Sequence, residues 1–258
     1  MHSFESPPQK SCELSGEPMK PIVLFLAAFL WTAVPAVLTR ESSSNYSESY
    51  AVIIKGTVAG NETVTEKTEG EEVTSSSEHE MLMTDGVETK RMTFSTRMVF
   101  SKSTGVLVSY SYWYTSGNTG DSYDVTIKNA QVTRVLNRGG RTSEVTVPFR
   151  PDMVFVDFDV YHQYDYLVRR YDAKKGGRQT FADFIPLIGT DIPIALTYMG
   201  DDKLSLKTGT LPIRNFQVEF VGIWGGTLSV SKEGRLIRLV IPSQEIEVMR
   251  RDLLPNSN

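Results

Sequence analysis

Between residues 92 and 127 apolar side chains recur at every second position, and this alternation constrains the chain more than any other feature. Met92, Phe94, Met98 and Phe100 share one face of an extended segment, with Thr93, Ser95, Arg97 and Ser101 on the other. Val106, Val108, Tyr110, Tyr112 and Tyr114 alternate likewise, as do Tyr123, Val125 and Ile127, and later Phe216, Val218 and Phe220. A period of two is that of a strand with one buried face. Turn signals punctuate these runs: Gly60-Asn61, Asp85-Gly86, Ser103-Thr104-Gly105, Ser116-Gly117-Asn118, Arg138-Gly139-Gly140, Gly200-Asp201-Asp202 and Glu233-Gly234. Their spacing predicts about thirteen strands, mostly joined by hairpins. No helical patterns lie between successive strands, which excludes a doubly wound parallel sheet.

One segment departs from this rhythm. Asp152 to Asp172 contains neither glycine nor proline, and Val160, Tyr164, Leu167, Val168 and Tyr171 fall on one helical stripe. Phe155, Phe158 and Tyr166 form a second stripe. The pattern predicts a helix over about 153–172, closed by Lys174-Lys175-Gly176-Gly177. A sheet this large must curl, split or close. The expected fold is therefore mainly β: a large curved antiparallel sheet, as a half-barrel or β-roll meander, with one long helix packed in or across it.

Ile22 to Leu38 is apolar apart from Thr32 and Pro35, and Lys20 precedes it. Met19-Lys20 fits a start of translation, with residues 1–18 as an upstream extension. Val34-Pro35-Ala36 offers small residues for cleavage after Ala36, so the run reads as a signal peptide and the chain as exported, periplasmic or secreted. The competing reading is an uncleaved anchor at the lower limit of spanning length. The expected division is 1–36 extension and signal peptide, 37–49 linker, 50–251 a single β-rich domain, and 252–258 tail. Cleavage removes Cys12, the one cysteine, and with it any disulfide or thiolate metal site. The sequons at Asn45 and Asn61 are read as accidental. A net charge of −4 excludes nucleic-acid binding through phosphate contacts.

An exported cysteine-poor meander with an inserted helix resembles the periplasmic half-barrel proteins of the lipoprotein-carrier type. The closing stretch Gly234 to Leu239, followed by Ile246-Glu247-Val248, is similar to exported bacterial β-roll domains, some of which stand before secreted hydrolase domains. The resemblance covers most of residues 50–250 in architecture and transfers no functional residue.

Asp157, Asp159, His162 and Asp165 cluster histidine with carboxylates, but an ion-pair role, such as Asp165 with Arg169, explains them more simply than a metal does. His79 reads as a strand residue, half-buried or exposed. Gly176-Gly177 is no phosphate loop, and Gly225-Gly226 reads as a bulge or tight bend. No nucleophile elbow or dinucleotide fingerprint occurs, so no catalytic residue, metal or cofactor is expected. Met81, Met83, Met92, Phe94, Met98, Phe100, Tyr110, Tyr112 and Tyr114 lie on neighbouring strands, with Phe158, Tyr161 and Tyr166 offered by the helix. Adaptable methionines beside aromatic rings suit the lining of an apolar site. The expected function is non-enzymatic binding of an apolar, lipid-like small molecule or of an envelope protein. The membrane is met only through the signal segment. An accessory interaction domain with a filled core is the alternative, and a hydrolase without a recognisable motif the third.

Overall fold

A computed structural model describes residues 45–84, 89–116, 119–206 and 209–254; the expected signal peptide and the Asp85-Gly86 and Gly117-Asn118 turns lie outside them. Eight strands follow one another as hairpins: β1 (Asn45–Ile54), β2 (Thr57–Glu69), β3 (Glu72–Thr84), β4 (Thr89–Ser101), β5 (Leu107–Ser116), β6 (Thr119–Lys128), β7 (Gln131–Arg138) and β8 (Arg141–Pro148). The short β9 (Met153–Val154) and helix α1 (Gln163–Arg169) precede β10 (Arg178–Ile185), β11 (Thr190–Leu206), β12 (Gly209–Phe220), β13 (Trp224–Val230), β14 (Leu236–Ile241) and β15 (Ile246–Arg250). All fifteen form one open sheet in the order β8 to β1, then β15 to β9. Every pairing is antiparallel except β9 with β10, so the mainly β meander expected from the alternation is the fold.

Strand boundaries differ from the turn signals in two places. Gly60 lies inside β2, beside a register shift opposite Val52 and Ile53; the turn falls earlier, at Lys55-Gly56. A Cβ on Gly60 would stand 2.4 Å from the carbonyl oxygen of Glu80, so close backbone approach is what requires glycine there. Gly200-Asp201-Asp202 is likewise strand, part of the 17-residue β11, with a bulge between Tyr198 and Gly200. β1 begins at Asn45, within the segment 37–49 expected as linker.

The sheet curls strongly. From β7 to β11 there are eleven strand steps, about 53 Å if the sheet were flat. Yet Arg134 of β7 packs directly on Gly189 in the β10–β11 turn, where a Cβ would fall 2.1 Å from Nη2. Only a sheet rolled back toward itself brings these strands together.

Residues 153–169 fill the inside of the roll, but not as the expected long helix. Only Gln163–Arg169 is α-helical, seven residues rather than about twenty. Met153 and Val154 pair with Ala182 and Asp183 of β10. The Val156 N–H donates to Asp183 Oδ1 at 2.8 Å and the Asp157 N–H to Gln163 Oε1 at 2.6 Å. Side chains thus satisfy amides that a helix would have paired internally. Burial agrees, since Met153 to Asp157 are all buried in succession, which a one-sided helix cannot achieve. The stripe still marks the core: Val160, Tyr164, Leu167 and Val168 are buried, and Tyr171 packs edge-on to Phe216. This plug joins two apolar clusters, one with Phe216, Val218 and Phe220 of β12, the other with Met98, Tyr110 and Tyr123 of β4 to β6. Each such side chain, fully buried, contributes about 1.5–3 kcal/mol.

Candidate functional site

An open cleft of about 300 Å³ lies between β3–β6 and the plug. Met81, Met92, Phe94, Tyr112, Tyr114 and Tyr161 line it, with Ile54, Leu187 and Ile246 completing the apolar wall. Period two sets the lining, because Tyr110, Tyr112 and Tyr114 project from the same face of β5 and Met92 and Phe94 from that of β4. Register places Phe94 opposite Tyr114, and Phe94 stacks on Tyr112 at 5.6 Å between ring centres. Tyr112 in turn stacks on Tyr123 at 4.6 Å. Asp121, Arg138 and Asp159 supply the polar part of the lining. Asp121 and Arg138 pair with each other at 2.7 Å, whereas Asp159 remains exposed, its carboxyl raised from the ordinary value by partial desolvation among the neighbouring side chains.

The other candidate lining residues are placed elsewhere. Met98, Phe100 and Tyr166 border a separate hollow of about 40 Å³ beneath Leu107 and Met153. Tyr110 is wholly buried. Phe158 turns away to pack on Phe220 at 5.3 Å, and the Met83 side chain lies outside the described residues. Ile54, Leu187 and Ile246 were not legible as lining: they come from strand ends and a turn, where no periodicity assigns a face.

The four residues of the Asp157–Asp165 cluster do not converge. Asp157 Oδ2 accepts the hydroxyls of Tyr110 at 2.7 Å and Tyr123 at 2.5 Å, and Oδ1 accepts the Leu187 N–H at 3.1 Å. Burial still raises its pKa. Asp165 accepts from Leu236 N and Arg235 Nη1 rather than pairing with Arg169, which instead approaches Glu66 at 3.9 Å. Glu66 also receives Arg235 and the Tyr166 hydroxyl; these outweigh its partial burial and hold its pKa down.

His162 meets a partner the sequence reading missed. Its Nδ1 lies 2.5 Å from Glu62 Oε1 on β2, and His79 Nε2 of β3 lies 3.0 Å from the same oxygen. All three side chains are buried, which corrects the half-buried or exposed strand position expected for His79. Burial alone would raise Glu62, but the imidazoles of His79 and His162 outweigh it and hold the carboxyl at about 2. Register accounts for half of this: Glu62 and His79 are directly opposed across β2 and β3. One signal was available, since Glu62 is in phase with the buried Val64. The His79 ring stacks on Phe94 at 4.0 Å, so the cluster sits just behind the cleft wall.

Ser77 Oγ also lies 3.0 Å from His79 Nε2 and 2.7 Å from Thr96 Oγ1. Serine and carboxylate thus address the same imidazole nitrogen, while Nδ1 has no partner. A nucleophilic triad needs them on opposite nitrogens, so this is not one.

No family model and no curated relative matches the chain. Among solved structures it is similar to a DUF1089 family protein from Pseudomonas aeruginosa, at 13% identity and a TM-score of 0.44, over 86% of this chain and 97% of that one. Among the described residues no helix is long and apolar enough to cross a membrane.

Proposed function

We propose that the protein is an exported, non-enzymatic binding protein that takes an apolar, lipid-like ligand into the cleft walled by Met81, Phe94, Tyr112 and Tyr161. The observation that carries this reading is the cleft itself, an open space of about 300 Å³ walled by methionine and aromatic side chains. A filled-core interaction domain has no need of such a space. An acyl chain removing on the order of 400 Å² from water gains about 10 kcal/mol. An association cost of about 4 kcal/mol leaves a dissociation constant in the tens of micromolar.

The test is titration of a fluorescent fatty acyl probe into wild type, Ser111→Phe and Tyr112→Asp proteins of verified fold. Ser111 faces outward, where its hydroxyl donates to Asp124 at 2.6 Å, so its enlargement leaves binding intact. A carboxylate at position 112 stands in the cleft wall and weakens binding at least tenfold. Absence of saturable binding in wild type, or equal binding in all three, rejects the reading.

A further inference from the structure

Two of the chain's three histidines meet one carboxylate in the interior, although His162 and Glu62 are 100 positions apart. The candidate ligand atoms of Glu62, His79 and His162 lie within 4.8 Å of one another. We propose that this cluster is a binding site for a divalent transition-metal ion of the zinc class. Two imidazoles and a carboxylate form a borderline nitrogen–oxygen donor set that such ions favour.

The placement of the ligand atoms carries the proposal. Ligands about 2.0–2.1 Å from a tetrahedral ion are separated by about 3.3 Å. Glu62 Oε1 and His79 Nε2, at 3.0 Å, nearly meet that spacing, and His162 Nδ1, at 2.5 Å, needs to retreat by under an ångström. Ser77 Oγ, 3.0 Å from His79 Nε2, or a water then takes the fourth position. All three ligand side chains are buried, so a divalent ion held there is shielded from solvent. The ligand protons leave as it binds.

The experiment uses the full, untagged chain, stripped with chelator and equilibrated with Co²⁺ or Zn²⁺, in parallel with refolding in their presence because the site is buried. One equivalent of Co²⁺ should develop visible d–d bands that Zn²⁺ abolishes, and Zn²⁺ should raise the melting temperature. Glu62→Gln should weaken binding at least about a hundredfold, the upper range seen for loss of an outer-shell partner. His79→Phe, which preserves stacking on Phe94, should do the same. Wild type that takes up neither ion by either route overturns the proposal whether or not the variants fold. So does binding that folded Glu62→Gln or His79→Phe retains. The cleft reading stands or falls separately, on the acyl probe.

Discussion

The backbone N–H of Leu236 donates to Oδ1 of Asp165 at 2.6 Å, fastening the first residue of β14 to α1. Arg235 adds a longer contact to Oδ2 at 3.4 Å, and Arg169, His162, Tyr46 and Tyr50 also face the carboxyl. Burial outweighs the favourable partners and raises Asp165 from 3.8 to about 6.

This shift gives stability a pH dependence of known sign. Between about 4 and 6 the folded chain holds a proton that the unfolded chain releases. Stability from Asp165 is therefore full below about 4, falls as pH rises toward about 6, and is constant above. Asp165→Asn keeps the acceptor for Leu236 and cannot titrate. Urea denaturation should show wild type losing stability relative to the variant across that window, by at most on the order of 3 kcal/mol. Parallel pH profiles would count against the assignment.

The Asp157 clamp makes a second prediction. Tyr123→Phe removes the 2.5 Å hydroxyl donor from a buried acid and creates little cavity. The expected cost is about 1–3 kcal/mol, read as a lower urea midpoint with unchanged slope. A change below the error of the measurement would show that the tyrosine ring alone matters.

Neighbouring glycines of β13 should behave oppositely. A Cβ on Gly226 would stand 2.4 Å from the Val240 carbonyl oxygen of β14, whereas one on Gly225 first meets Val218 O at 3.7 Å. The pair is thus neither the bulge nor the tight bend expected but regular strand, with one glycine required by close backbone approach. Gly226→Ala should be destabilised by more than about 2 kcal/mol or fail to fold, and Gly225→Ala should remain near wild type. Thermal melts of the two variants decide it, and equal losses would refute the contact argument.

Processing is testable without the fold. If Ile22 to Leu38 directs export, the exported protein begins at or near Val37, and intact mass shows it. Soluble cytosolic protein retaining Met1 or Met19 refutes this.

Much of the fold was already written in local pattern. Tyr110, Tyr112 and Tyr114 share a face because β geometry alternates side chains whatever strand lies alongside. The same rule orders Phe216, Val218 and Phe220, so strand identity, buried face and part of the cleft wall followed from nearest-neighbour spacing alone. Tertiary structure decided the rest. Residues 153–162 have helical spacing, yet Asp183 and Gln163 capture their amides and β10 pairs with Met153 and Val154, partners that no local pattern names. The Glu62–His79–His162 cluster depends first on β2–β3 register and then on a plug folding back across 100 positions. Periodicity specifies which way a side chain points, but not what stands opposite it; only the rolled sheet brings a carboxylate and two imidazoles from distant segments to one oxygen.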